Sequence, residues 1–196
     1  VMAARKVSWP LTLPMCSPIS DGAAAAILCR EEELDRFDRD RAVKIRATAL
    51  RTGSDRDPQE FGRHIPHLAA RDAYERAGVG PEDMDVAEVH DATAFAEIQQ
   101  VENLGFCSFG EGGTLTESGA TSLGGRIPVN PSGGLESKGH PVGATGLAQV
   151  FELTTQLRGE ASSRQVEGAR LAIAENGGGF HGIEEAVACV TILGRD

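Results

Sequence analysis

The chain has 196 residues, of which 40% are hydrophobic and 24 are glycine, a size and composition that suit one loop-rich α/β domain with a full core. Its 19 basic and 29 acidic residues give a formal net charge of -10, which argues against nucleic acid or an anionic membrane as a partner, because both attract a basic face. The four cysteines have no Cys-x-x-Cys spacing, which argues against a zinc site and a disulfide framework. No apolar run reaches the roughly 20 residues that a membrane span needs. We therefore expect a cytoplasmic protein without a metal.

Five segments of the chain are predicted to be β-strands. They are residues 23–29, 43–50, 86–89, 169–174 and 186–193. The first and the last are near-continuous apolar runs, which are typical of strands buried on both faces, whereas the second alternates apolar and polar side chains. Residues 1–7 resemble the end of a helix, and we expect the chain to be part of a longer protein.

Three helices are predicted between these strands, over residues 66–77, 94–104 and 146–157, and a glycine that can end the helix closely follows each. Strands that alternate with helices indicate a layered α/β fold with right-handed crossovers. The charged residues 31–40 are expected to form a surface turn or a short helix. Residues 106–128 have no regular pattern, and a long irregular connection in a compact domain usually has a function.

A glycine-rich stretch, residues 130–146, is the centre of the functional interpretation. It has five glycines and two prolines around His140, and these residue types let the backbone approach a ligand while keeping the stretch out of regular elements. Histidine is the side chain whose charge changes near neutral pH, so His140 is the candidate for moving a proton or orienting a nucleophile. The alternative is that the glycines only permit close packing of a helix on the sheet.

The ends of two predicted strands carry further polar residues. His90 follows one strand, and Glu175 and Gly177 follow another. Because ligands of open α/β sheets gather at the carboxyl ends of the strands, we expect these residues to share a pocket with His140. Two histidines beside free backbone N–H groups suit acyl transfer, in which one group activates a nucleophile and donors hold an oxyanion. The nucleophile is missing, because the sequence has no Gly-x-Ser-x-Gly motif.

Other polar residues have a structural alternative. Asp91 is placed either to cap the helix predicted over residues 94–104 or to take part in the chemistry. His64 and His67 have a helical spacing that would suit a metal pair, but Pro66 lies between them and no third ligand is near, so we predict ordinary surface histidines. Cys107 has a setting that is more simply structural.

Several segments, in this order, resemble the C-terminal half of a thiolase, in the sterol-carrier-protein-2-type thiolase-like branch. They are Cys16-Ser17-Pro18-Ile19-Ser20-Asp21-Gly22, His90-Asp91, Asn130-Pro131-Ser132-Gly133-Gly134, Gly139-His140-Pro141 and the glycines that follow Asn176. The resemblance covers about residues 10–193 and implies an α/β half-domain with a mixed five-stranded sheet and helices packed on it. Residues 1–196 are therefore expected to form one domain. A homologous N-terminal half, which carries the nucleophilic cysteine in this family, is absent from the chain.

The resemblance also assigns roles to residues. It implies that His140 activates the cysteine, that His90 contributes to an oxyanion hole for the thioester oxygen, and that the N–H of Gly177 faces the acyl-enzyme oxyanion. The family has an acid/base cysteine at one of two positions, which are Glu175 and Ala92 here. Glu175 could replace that thiol if burial raises its pKa, or it could be a solvated loop residue. The residues expected to contact coenzyme A are Ser132, Gly133 and Gly134.

The function implied by the resemblance is thiolytic cleavage of a 3-oxoacyl-CoA in lipid degradation, with coenzyme A as co-substrate and no tightly bound cofactor. Retro-aldol cleavage of a 3-hydroxyacyl-CoA is the first alternative, because the acid/base thiols are missing. A non-catalytic subunit that binds thioesters or a partner is the second. The resemblance further implies a homo-oligomer and a small partner with a zinc ribbon and an oligonucleotide-binding fold. The chain alone is expected to be an inactive part of an acyltransferase.

Overall fold

The structure, a computed structural model, describes residues 1–195 and has a four-stranded mixed sheet at its centre. The strands are β3 (Lys44–Thr52), β4 (Val86–Glu88), β5 (Leu171–Gly178) and β6 (Val187–Gly194). Their order across the sheet is β3-β6-β5-β4, with β6 antiparallel to both of its neighbours and β4 parallel to β5. Four of the five predicted strands are therefore confirmed.

The two longest helices cover opposite faces of this sheet. Helix α1 (Ile65–Ala77) packs mainly against β3 and β6, and α5 (Thr145–Leu157) packs mainly against β5 and β4. Side chains along a strand point alternately to the two faces. Accordingly, Ile173 joins the core under α1, whereas Ala172 and Ala174 join the core under α5. Both helices were predicted from their sequence patterns.

Three shorter helices complete the chain. Helix α2 (Ala94–Asn103) was predicted, whereas α3 (Gly112–Glu117) and α4 (Gly134–Lys138) lie in segments predicted to be irregular. Only a short helix fits in the glycine-rich stretch because Gly133 and Gly139, at its two ends, have positive φ angles of 93° and 90°. The prediction that this stretch avoids regular structure was wrong for these five residues.

The sheet has four strands and not the five that the resemblance implied, and one isolated bridge lies beside β4. Ala87 pairs in parallel with Val129, through bonds of 2.9 Å from the Ala87 N–H to the Pro128 carbonyl and 2.8 Å from the Asn130 N–H to the Ala87 carbonyl. The pairing ends there because Asn130 has a φ of 51° and turns the chain away from the sheet. The mixed sheet is confirmed with four strands and this bridge.

Two predictions for the first 30 residues were wrong. Residues 1–7 are not the end of a helix, because β1 (Lys6–Ser8) forms a small hairpin with β2 (Leu11–Thr12). Residues 23–29 form no strand, and Ile27 and Leu28 are 85% and 75% exposed. The charged segment behaves as predicted, since it forms exposed 3-10 turns over Glu31–Arg36 and Arg39–Arg41.

Within residues 1–195, no helix has the length and apolar character needed to cross a bilayer.

Candidate functional site

Two histidines that are 50 positions apart in the sequence lie against each other. His90 follows the end of β4, and His140 follows α4 in the glycine-rich stretch. Their ring centroids are 4.9 Å apart and the ring planes meet at 73°. The structure therefore brings together the two imidazoles that the sequence analysis placed in one site.

A short N-terminal segment joins the two histidine-bearing loops. The N–H of Ser17 donates to the carbonyl of Ala92 at 3.0 Å, beside His90 in the sequence. The N–H of His140 donates to the carbonyl of Pro18 at 2.8 Å, and the N–H of Ser20 donates back to the His140 carbonyl at 3.3 Å. Residues 16–20 thus join both loops through backbone hydrogen bonds.

The ring of His140 is held in one orientation by Thr145, the first residue of α5. His140 Nδ1 lies 2.8 Å from Thr145 Oγ1, and that hydroxyl donates to the carbonyl of Pro141 at 3.3 Å. Since the hydroxyl proton is used on Pro141, we infer that Nδ1–H of the neutral ring donates to Thr145. Nε2 then carries the free lone pair, which is the arrangement a general base requires.

His90 lies in an environment that favours its neutral form. Burial lowers its pKa, and the neighbouring His140 lowers it further, while Glu185 and a hydrogen bond with the backbone of Gly177 act in the opposite direction. Among the described residues, Nδ1 of His90 is buried without a hydrogen-bond partner. A neutral imidazole with an unused nitrogen can serve as a hydrogen-bond donor or acceptor for a bound group.

Glu175 is fully buried beside His90. Its exposure is 0%, and Oε2 accepts a hydrogen bond of 3.1 Å from the N–H of His90. Burial is the main cause that raises its pKa to about 8, with a smaller contribution from the charge of Glu185. Glu175 is therefore a protonated carboxylic acid at neutral pH, and its Oε1 has no partner within residues 1–195. Of the two alternatives left open by the sequence, the solvated loop residue was wrong.

The position of Glu175 and Gly177 differs from the prediction. Both lie inside β5, which runs to Gly178, and not in a loop after it. Because side chains alternate along a strand, residues 175 and 177 point to the same face, toward His90, and Asn176 points to the other face, where its Nδ2 donates to Gln149 at 3.2 Å. The extension of the strand aligns the acid and the glycine in one row.

Asp91 caps a helix, but a different helix from the predicted one. Its Oδ1 accepts from the N–H of Leu135 at 2.8 Å and its Oδ2 accepts from the N–H of Glu136 at 3.4 Å, at the start of α4. The cap of α2 is instead Thr93, which accepts from the N–H of Ala96 at 3.1 Å. Asp91 therefore ties the loop of His90 to the glycine-rich stretch.

The three residues expected to contact coenzyme A have structural roles within the chain. Ser132 Oγ donates to Glu88 at 2.8 Å and accepts from Lys138 Nζ at 2.7 Å, and the N–H of Gly134 donates to the same oxygen at 3.2 Å. Gly133 directly precedes α4 and has the left-handed conformation. Their contact with coenzyme A stays a prediction.

The sequence analysis missed two residues that build this site. Glu88 lies inside β4, 1% exposed, where burial raises its pKa and Lys138 and Ser132 oppose that rise. Asn130 accepts from the N–H of Val89 at 2.8 Å and donates to Glu97 at 2.7 Å. One signal was available, since a carboxylate inside a short apolar strand is unusual.

His64 was wrongly predicted to be a surface residue. It is 4% exposed, and its Nε2 lies 2.8 Å from Glu185 while its Nδ1 contacts Asn103. His67 is half-buried and bonds the carbonyl of Asn103 at 3.0 Å. No group of three metal-ligating side chains occurs in residues 1–195.

Comparison with solved structures defines the class of fold. The chain superposes on the Ltp2-ChsH2(DUF35) aldolase with a TM-score of 0.72, over 99% of this chain and 50% of the other, at 22% identity. At that identity the similarity establishes the architecture alone, which is a thiolase-like α/β half.

Sequence comparison establishes the family. A family model described as thiolase C-terminal domain-like matches residues 55–195. The chain is 48% identical over its full length to an acetyl-CoA acetyltransferase of Methanothermobacter thermautotrophicus, of which it covers 50%, and 45% identical over 90% of its length to human sterol carrier protein 2, of which it covers 34%. A benzoylsuccinyl-CoA thiolase subunit of Thauera aromatica is 37% identical over 85% of the chain and 44% of the relative. The chain belongs to the thiolase C-terminal domain-like family, and it spans about half or less of the length of these relatives.

Proposed function

We propose that this chain is the C-terminal half of an enzyme that cleaves a carbon–carbon bond in acyl-CoA thioesters, by thiolysis of a 3-oxoacyl-CoA with coenzyme A. The observation that carries the proposal is the contact between His90 and His140, with ring centroids 4.9 Å apart and Nδ1 of His140 held by Thr145. The similarity of the whole chain to half of an acetyl-CoA acetyltransferase supports the class of substrate.

In the proposed first step, a cysteine from the N-terminal half attacks the 3-oxo carbon, and His140 Nε2 takes the thiol proton. The bond between C2 and C3 then breaks, and its electron pair becomes the enolate of acetyl-CoA. His90, beside His140, donates a hydrogen bond to the thioester oxygen on which the enolate charge develops. The products of this step are an acyl-cysteine and the enolate.

Glu175 supplies the proton that the enolate carbon needs. It is protonated at neutral pH because its pKa is raised to about 8, and a carboxylic acid tuned in this way is a competent general acid. The resulting carboxylate takes the proton of the incoming coenzyme A thiol, whose sulfur attacks the acyl-cysteine. The N–H of Gly177 faces the oxyanion of that second step, and the cysteine leaves as a thiolate paired with protonated His140.

The domain arrangement belongs to this proposal. Residues 1–196 form one C-terminal-type domain, and the nucleophile comes from a preceding half. The exposed apolar residues 23–29 support such a partner, because a contiguous apolar segment at the surface is typical of an interaction site. We further propose that the complete protein is cytoplasmic, forms a homo-oligomer and uses coenzyme A only as a substrate.

The experiment is a turnover assay of the complete protein with a 3-oxoacyl-CoA and free coenzyme A, in which two shorter thioesters should form. His140→Ala should lower kcat by roughly 10²- to 10⁴-fold, the usual contribution of a general base. The control is His181→Ala, since the ring of His181 is exposed and lies outside the site. Full activity of His140→Ala would contradict the proposal, and so would turnover by the 196-residue chain alone.

Retro-aldol cleavage of a 3-hydroxyacyl-CoA is the second candidate. The observation in its favour is Glu175 in place of a thiol, because Glu175 in its deprotonated form, which is populated as the pH approaches its pKa of about 8, can take the proton of a 3-hydroxyl group, and no acyl-cysteine is then required. A similar fold occurs in a protein named as an aldolase together with a DUF35 component, and a small partner with a zinc ribbon and an oligonucleotide-binding fold is part of this candidate. Cleavage without free coenzyme A, with release of an aldehyde or ketone, would favour it over thiolysis. The third candidate is a non-catalytic subunit, which would carry out neither thiolysis nor retro-aldol cleavage.

A further inference from the structure

A half-buried carboxylate behind the histidine site has no role in the chemistry described above. Glu185 precedes β6, and its side chain is 21% exposed. Its Oε2 lies 2.8 Å from His64 Nε2, and its Oε1 accepts a hydrogen bond of 3.1 Å from Gln100. Both partners come from other elements, since His64 precedes α1 and Gln100 lies in α2. The carboxylate is therefore fixed in position by two helices.

The same side chain lies directly against Gly177, whose N–H is proposed to face the oxyanion. A Cβ atom added to Gly177 would stand 2.8 Å from Glu185 Cγ, which is closer than real side chains approach. Glu185 thus fills the space that any other residue at 177 would need. The contact explains why a glycine with an ordinary extended backbone occurs within the strand at this point.

Glu185 also acts on the two titratable groups of the site. Its charge raises the pKa of His90, and it raises the pKa of Glu175. The other charged or titratable groups that face His90 are His140, which lowers its pKa, and Glu175, which accepts from its N–H. Glu185 itself stays ionised, because its bonds to His64 and Gln100 outweigh the effect of burial and leave its pKa below the usual range.

We propose that Glu185 is a positioning residue of the histidine site, which holds the β5 row of Glu175 and Gly177 against His90 and supplies a fixed negative charge behind it. The inference rests on the proposed function and names a residue that acts through His90 and Gly177 without touching the reacting atoms. His64 and Gln100 are the residues that keep this charge in place. Through Glu185, the packing around α1 therefore influences the protonation of His90 and Glu175.

The direct test is the titration of His90 by NMR in the complete protein, which requires no turnover. In Glu185→Gln the shape of the side chain is retained and the charge is lost, while the single amide oxygen can accept from only one of Gln100 and His64, so the pKa of His90 should fall below that of the wild-type chain. The control is Glu117→Gln, which removes one charge at an exposed position of α3 and should leave His90 unchanged. An identical titration of His90 in Glu185→Gln and the wild type would overturn the proposal.

The second test uses the complete protein and separates the charge from the contact with Gly177. Glu185→Gln should lower kcat by about tenfold with little change in KM and should move the pH profile to lower pH, because both His90 and Glu175 lose a neighbouring charge. Glu185→Asp keeps the charge and shortens the side chain, so it should lower kcat while leaving the pH profile in place. An unmoved profile in Glu185→Gln would contradict the inference. If the pKa of His90 is the same in Glu185→Gln and the wild type while thiolysis is normal, the role of Glu185 is rejected and the proposed reaction is not. If the pKa of His90 falls in Glu185→Gln but the wild-type protein shows no thiolysis, the proposed reaction is rejected and the role of Glu185 is not.

Discussion

Two apolar runs of similar composition have opposite positions in this protein. Residues 186–193 form most of β6 at the middle of the sheet, where Ala188, Val190 and Ile192 are 0% exposed. Residues 23–29 are equally apolar and lie in solvent without strand structure. The difference is one of neighbours, because β6 has β3 on one side and β5 on the other, and residues 23–29 pair with no strand in residues 1–195. An apolar run therefore indicates that a segment needs a partner, and it does not say whether the partner is in the same chain.

The largest expected effect lies in the central strand. Ile192→Ala should lower the free energy of unfolding of the chain by about 2–5 kcal/mol, because it removes a fully buried side chain between α1 and the sheet. Urea unfolding followed by circular dichroism would measure the change. A loss below about 1 kcal/mol would mean that the middle of the sheet is no better packed than the exposed run.

The next largest loss of stability is expected in the glycine-rich stretch, which packs against other segments of the same chain. Gly134→Ala should destabilise the chain by about 1–3 kcal/mol, because residue 134 has a φ of 61° and a Cβ there would lie 2.0 Å from Asp91 Oδ2. Gly143→Ala is the matched control, since a Cβ at that position meets no atom within 4 Å. Equal unfolding free energies for the two variants would show that Asp91 does not hold this stretch.

The pH dependence of stability tests the burial of Glu175. The pKa of this residue is about 8 in the folded chain and near its ordinary value of 4.5 in the unfolded chain, so between these values the folded state binds the extra proton and stability falls as pH rises. One such group contributes a slope of at most about 1.4 kcal/mol per pH unit. Glu175→Gln should remove this slope, as measured by urea unfolding from pH 5 to pH 8. Parallel profiles for variant and wild type would place the carboxylate in solvent.

The smallest effect is expected in the exposed run. Leu28→Ser should change the free energy of unfolding of the isolated chain by no more than about 0.5 kcal/mol, because Leu28 is already 75% exposed. In the complete protein the same substitution should lower the melting temperature, since the proposed N-terminal half covers this run. Strong destabilisation of the isolated chain would show instead that residues 23–29 are buried by the chain itself.

Local sequence signals were sufficient for the framework of the fold. Helix α1 ends at Gly78 with a φ of 70°, as predicted from the glycine after a helical pattern, and α5 begins at Thr145, one residue from its predicted start. The alternation of residues 43–50 correctly indicated β3, where Ala47 and Ala49 are buried and their neighbours are exposed. These features depend on residues within a few positions of each other, so a single sequence contains the information.

Signals that depend on distant partners were less informative. Asp91 was expected to cap the helix that follows it, but Thr93 is nearer to that helix start and takes the role, which frees Asp91 for α4, 44 residues further on. His64 was expected at the surface and is nevertheless buried, because Glu185 and Asn103 supply its hydrogen bonds from two other elements. The extension of β5 past Glu175 was missed because glycines at 177 and 178 do not favour a strand by themselves, and only the pairing with β6 holds them there.

The sequence by itself determined the kinds of residues at the site, the helices and strands that carry them, and the order of motifs that resembles a thiolase half, because these are properties of neighbouring residues. Only the tertiary structure decided that the rings of His90 and His140 touch, that Glu175 is buried and protonated, and that Glu185 lies behind Gly177. The physical reason is that burial and electrostatic environment are set by segments that fold together from distant positions. A side chain acquires its pKa, and an apolar run its strand partner, only when those segments meet.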